Sequence, residues 1–132
     1  MKRFFCRCGA EVFFENHQCL QCQNAVGFDP QRMQMVAYDH DPQLTYCGNG
    51  FEFGVCNWMR PANSDNPLCV ACQCNRTIPN LALADNLKYW TALEQAKKRL
   101  FFTLTQLGLP LQNGWAQPGF GLLFDFLDDE RS

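Results

Sequence analysis

The sequence predicts a small α+β fold stabilised by bound metal, with β-hairpins first, then one long amphipathic helix and a C-terminal strand. Three observations carry that expectation. All nine cysteines of the 132-residue chain lie between positions 6 and 74. Glycines and prolines interrupt that same half repeatedly, so it has no room for a large continuous core. Beyond Pro79, apolar residues recur at intervals of three and four, and near the end they alternate. Hydrophobic residues make up 47% and charged residues 18%, a globular balance rather than a disordered one.

The first four cysteines stand in "CRCGAEVFFENHQCLQC", residues 6–22. Two close pairs joined by a short hairpin are the pattern of a zinc ribbon, in which each pair sits on a tight turn. Cys6 and Cys8 are two apart, and in an extended segment such residues share a face, so both sulfurs can aim at one ion. "EVFFEN" supplies a strand ending at a turn-forming Asn. Gly9 follows Cys8 where the backbone needs positive φ, and Asn24 suits the corresponding left-handed position after Cys22. The competing reading is a set of buried free thiols.

A second, looser set comprises Cys47, Cys56, Cys69 and Cys72. The Cys69-x-x-Cys72 pair is its strong half, while Cys47 and Cys56 flank "GNGFEFGV", read as a short hairpin turning at Asn49-Gly50. Cys74 is then the spare thiol, the alternative being that it replaces Cys69 or Cys72 as a ligand. His17 and His40 are not needed once eight thiols are counted. Four thiolates suit zinc and iron alike. The expectation is two structural zinc ions, held by Cys6, Cys8, Cys19 and Cys22 and by Cys47, Cys56, Cys69 and Cys72. Closed four-thiolate sites leave no position for water or substrate, so no catalytic metal and no catalytic residue is expected. The three-part organisation that follows is a zinc ribbon over 1–34, a second four-cysteine module over 35–80, and a helix with a strand over 81–132.

The helix is read from Leu87, Trp90, Leu93, Ala96, Leu100, Leu104 and Leu107, one apolar face in a segment free of glycine until Gly108. Asp85 or Asn86 caps its start, and Gly108 with Pro110 marks its stop. Lys97, Lys98 and Arg99 are expected on a solvated face, with Trp90, Phe101 and Phe102 in the core. Phe120, Leu122, Phe124 and Phe126 alternate as a strand with an acidic end and without an evident partner, as if a further domain began there.

The order "FFCRCGAEVFFENHQCLQC", "GFDP", "CNWMRPANSDNPLCVAC", "NRTIPNL", the Trp-bearing helix, "LGLPL" and "GLLFDFL" resembles a bacterial family of zinc-binding metallopeptidase-like proteins with an N-terminal zinc ribbon. The resemblance covers nearly the whole chain. It implies Cys6, Cys8, Cys19 and Cys22 as one ligand set, places Cys69 and Cys72 in the second, and leaves Cys74 outside both. Such proteins continue into a His-Glu-x-x-His helix whose histidines bind catalytic zinc, and these 132 residues contain no such motif.

The function expected is therefore a structural, zinc-binding accessory or interaction module of a metallopeptidase-like protein, without peptide hydrolysis by these residues. The partner is a protein, either a following peptidase-like domain or another chain. The alternative is a stand-alone zinc ribbon that binds protein. Nucleic acid is disfavoured: the formal charge is −2, and eight thiolates with two divalent ions lower it to about −6. Only Lys2, Arg3 and Arg7 gather near the first set, with Arg76 near the second. Direct catalysis by a Cys74–His pair has little else to support it, since Ser64 and Ser132 are the only serines and no phosphate-cradling loop occurs. No export signal or membrane-length apolar run is evident, so a reducing cytoplasm is expected.

Overall fold

The computed structural model describes residues 3–38, 41–109, 114–115 and 121–128. Lys2, His40, Pro110 and Phe120 lie outside the described residues. The chain divides into two compact units. One takes in residues up to Glu52 together with Asn57–Cys69; the other takes in Phe53–Cys56 and residues from Val70 onward.

In the first unit three antiparallel hairpins follow one another. β1 (Phe4–Phe5) pairs with β2 (Glu11–Val12), β3 (Val26–Asp29) with β4 (Gln34–Ala37), and β5 (Leu44–Tyr46) with β6 (Met59–Pro61). The β3–β4 turn is built locally. Asp29 Oδ1 accepts the Gln31 N–H at 3.0 Å, and Met33 takes the left-handed conformation that returns the chain. The "EVFFEN" strand is short: β2 ends at Val12, and the chain then turns on Phe13–Asn16, with Asn16 N–H donating to Phe13 O at 2.9 Å.

Aromatic packing closes this unit. The Phe28 ring centroid lies 4.9 Å from Phe14 and 5.0 Å from Trp58, and Phe4 meets Phe28 edge-on. Gly27 belongs to this packing because nothing larger fits. A Cβ there would stand 2.6 Å from Met59 Sδ and 2.7 Å from Asn57 O. Asn57 is buried and donates from Nδ2 to Phe14 O and Asn16 O, so a side-chain amide fastens the first hairpin's turn.

The Gly48–Phe53 segment is helical, α1, rather than the hairpin expected from Asn49-Gly50. β5 already pairs with β6, so the intervening chain has no strand edge to join and satisfies its backbone internally. Gly50 and Phe51 N–H groups both donate to Cys47 O, and Gly54, at φ +69°, ends the helix.

The second unit is organised by α2 (Asn86–Gln106). Its stop is as expected: Gly108 is left-handed at φ +76° and donates to Thr105 O, while Leu109 N–H reaches Leu104 O. Its start differs. Asp85 occupies the cap position at φ 69° without a capping side-chain hydrogen bond, and Asn86 Nδ2 instead donates to Asn80 O.

The face that α2 buries is also different. Trp90, Glu94, Lys97, Lys98 and Phe101 are buried, whereas Leu87, Leu93, Leu100 and Leu107 are 42–68% exposed. Lys97 and Lys98 therefore face inward instead of solvent, because Glu94 supplies a buried carboxylate for both. Trp90 and Phe101 are core residues as expected, and Phe102 is half-buried. Their neighbours are Phe53, 5.5 Å from Trp90, and Phe124, 5.8 Å from Phe101.

The terminal strand has a partner. β8 (Phe124–Asp125) runs parallel to β7 (Asn75–Thr77), and Phe126 N–H adds a bond to Thr77 O at 2.8 Å. Arg76 grips Asp125 through two hydrogen bonds, and Thr77 Oγ1 donates a third. The Arg76 guanidinium, with Thr77, holds the Asp125 carboxyl down to about 2. A depressed carboxyl contributes stability above its ordinary range and loses it as pH falls toward 2. Among the described residues no helix is long and apolar enough to cross a membrane.

Two outcomes follow. Phe28→Ala should cost about 3–5 kcal/mol in denaturant unfolding of the metal-loaded chain, since the ring is fully buried. Arg76→Met should speed amide exchange at Phe126 while leaving the amides of β3 and β4 protected.

Candidate metal centres

Each half of the first cysteine set sits on a turn of the same design. Cys6 N–H donates to Ala10 O and Cys6 O accepts from Gly9 N–H; Cys19 N–H donates to Asn24 O and Cys19 O accepts from Gln23 N–H. The left-handed residue comes directly after the second cysteine in both turns: Gly9 (φ 96°) after Cys8 and Gln23 (φ 65°) after Cys22. This corrects the expectation at Asn24. The second turn is one residue longer between its cysteines, and the reversal tracks the cysteine instead of the residue type most suited to it.

These turns bring four sulfurs together. Cys6 Sγ is 3.6 Å from Cys22 Sγ, and Cys8 Sγ is 3.7 Å from Cys19 Sγ. Disulfide sulfurs would be about 2.05 Å apart. A tetrahedron with Zn–S bonds of about 2.3 Å has edges of about 3.8 Å, so the spacing is that of ligands around one ion. Backbone N–H groups, Cys22's foremost, hold the Cys19 thiol down to about 6, while burial pushes Cys6 up. A divalent cation resolves that contrast by favouring the thiolate at every position. His17 is exposed and contributes its carbonyl to Val26 N–H.

The second set is Cys47, Cys56, Cys69 and Cys72, whose sulfurs all lie within 4.8 Å of one another, as do those of the first set. Cys47 follows β5, held by its N–H to Trp58 O at 3.0 Å. Cys56 follows the Gly54 reversal, and Cys72 opens a single 3-10 turn, Cys72–Cys74. All four cysteines are at most 1% exposed, whereas in the first set Cys8 is exposed and Cys22 half-buried. Two four-cysteine groups of this geometry fit two structural zinc ions.

Cys74 stays out of both groups. It is buried, its sulfur 3.7 Å from Val70 O, and burial pushes its thiol upward. Sequence reasoning missed what surrounds Cys72. Lys98 Nζ stands 3.4 Å from Cys72 Sγ and 2.7 Å from Glu94 Oε2. Lys97 Nζ donates to Ala71 O, Asn75 Oδ1 and Glu94 Oε1. The one signal that could have disclosed the network is the Glu94–Lys98 spacing of four on a helix.

Four-thiolate centres on paired turns define a metal-stabilised ribbon protein. Residues 3–83 match the zinc-ribbon domain family, and the chain belongs to it. Residues 86–132 match the family described as "Putative zinc-binding metallo-peptidase". An uncharacterized protein of Mycobacterium bovis and two of Mycobacterium tuberculosis are 33% identical over 128 residues, covering 96% of this chain. The chain spans 37% of the length of these relatives. No solved structure matches it. Together the ribbon-family match and the two thiol sets make this a zinc-binding module, and its residues 86–132 are similar to the peptidase family.

Native mass spectrometry of Cys74→Ala should still find two zinc ions per chain, whereas Cys72→Ala should retain one. Loss of an ion from the Cys74 variant would transfer a ligand role to that residue.

Proposed function

We propose that the chain is an accessory interaction module whose α2 carries a protein partner, either a peptidase-like domain of a longer polypeptide or a separate chain. The observation that carries this reading is the outer face of α2. Tyr89, Leu93, Leu100 and Leu107 are 46–68% exposed, and Leu93, Leu100 and Leu107 recur at heptad spacing. A helix presenting such a row to water is suited to burial against protein. Beside it, Tyr89, Trp90, Leu93, Phe126 and Leu127 help line a groove of about 230 Å³. This helix lies within the segment that matches the peptidase family.

The zinc ions in this reading are structural and the module itself is not hydrolytic, because closed four-thiolate shells offer no site for water activation. Nucleic acid remains the weaker partner class. Arg3 is paired with Glu11 at 2.8 Å and Arg76 with Asp125, so basic side chains near the cysteine sets are already partnered. A reducing cytoplasm is the proposed compartment, since it keeps eight thiols available to metal.

The test joins the chain to the portion of one of the longer mycobacterial relatives that its match leaves uncovered. Leu93→Glu combined with Leu100→Glu should leave the isolated chain's unfolding almost unchanged and destabilise the joined protein by about 2 kcal/mol or more. Equal effects on both would remove the docking role from this face.

A further inference from the structure

We infer that Lys98 is an outer-shell charge partner of the second metal centre, lodging its ammonium between the Cys72 sulfur and the Glu94 carboxylate. The inference rests on the four-thiolate geometry of that centre and is independent of the docking role proposed for α2.

Geometry supplies the argument. Cys72 Sγ and Glu94 Oε2 are 3.9 Å apart. With Cys72 bound to a cation as thiolate, that pair becomes two buried anions in close approach, which an interior does not tolerate without a positive charge. Lys98 Nζ lies within hydrogen-bonding distance of both, at 3.4 Å and 2.7 Å. Its side chain is 3% exposed, so solvent does not take its place. The remaining contacts aim the carboxylate. Asn75 Nδ2 donates to Glu94 Oε1 at 2.6 Å, Trp90 Nε1 at 3.3 Å and Lys97 Nζ at 3.0 Å, leaving Oε2 to Lys98. Lys97 is itself fixed by Ala71 O and by the rings of Phe101, Phe124 and Phe126.

The role assigned to Lys98 is to donate to the Cys72 sulfur and slow its exchange off the ion, as outer-shell donors to metal ligands do. Glu94, Asn75 and Lys97 are positioning residues that act through it.

The experiment uses the full chain loaded with zinc, and separately with cobalt, comparing Lys98→Met, Lys98→Arg and the exposed control Lys88→Met. Wild type should release two zinc ions to excess EDTA. Lys98→Met should accelerate release of one of them roughly tenfold or more and leave the other unchanged. It should also move part of the sulfur-to-cobalt charge-transfer absorption to longer wavelength, because a sulfur that loses a cationic donor is more easily oxidised. Lys98→Arg should restore both readouts, and Lys88→Met should alter neither. The inference fails if folded Lys98→Met matches wild type, if both ions leave faster by the same factor, or if wild type binds fewer than two ions. Should Lys98→Met not fold, Lys98→Arg decides: wild-type release and absorption support a charge requirement, and failure of this variant too assigns the position to packing alone.

Discussion

Convergence of four sulfurs on one divalent cation is the constraint from which the rest of this structure follows. The strands are two to four residues long, and every sheet among the described residues has two strands. Isolated two-stranded hairpins are marginal in water, so strand pairing is a weak source of order here. A structural zinc site contributes on the order of 10–16 kcal/mol, comparable to the whole net stability of an ordinary domain. Without a cation, thiolates within 4.8 Å of one another would repel, and protonated thiols would give up the geometry the turns impose. The aromatic cluster of Phe4, Phe14, Phe28 and Trp58 adds packing that short strands alone could not organise.

The two centres meet the same electrostatic problem in different ways. Four thiolates and one divalent ion carry a net charge of −2, which needs compensation wherever water is excluded. At the first centre backbone N–H groups and partial exposure suffice, with Cys8 open to solvent. At the second, no cysteine is more than 1% exposed, so neutral donors are not enough. Two buried ammonium groups and one carboxylate lie around Cys72 instead, adding one net positive charge. At an effective dielectric near 20, like charges about 4 Å apart repel by on the order of 4 kcal/mol, enough to explain why a cation accompanies the Glu94–Cys72 approach. Burying two lysines is costly for a core, and this centre gives them a purpose that packing does not.

What was legible in the sequence is what ligand chemistry dictates. Sulfurs that share an ion must come from turns, and turns leave spacing rules and a left-handed residue, so both thiol sets could be read from their positions. Gly108 likewise disclosed the end of α2. The inner face of that helix was hidden because apolar periodicity assumes an apolar core, whereas Glu94, Lys97 and Lys98 are buried by charge pairing. Asn49-Gly50 reads as a turn in isolation, and only the pairing of β5 with β6 makes it helical. The partner of β8 is almost fifty residues away, and parallel pairing at that distance leaves no local pattern. Gln23, unlike Gly9, is not a residue type that announces positive φ.

The hidden inner face also explains the outer one. An amphipathic helix of a small domain normally spends its leucines on its own core, leaving polar residues to water. Here α2 is fixed from within by Trp90, Phe101 and an ionic network, so Leu93, Leu100 and Leu107 are not consumed in holding it. The leucine row and the buried row lie about a quarter turn apart at 100° per residue, and one helix therefore has two distinct surfaces. A four-thiolate centre needs charge around it, the helix supplies that charge, and in doing so it keeps its apolar row facing outward. The charge network around Cys72 thus leaves the leucine row of α2 exposed, which is the surface the proposed docking role requires.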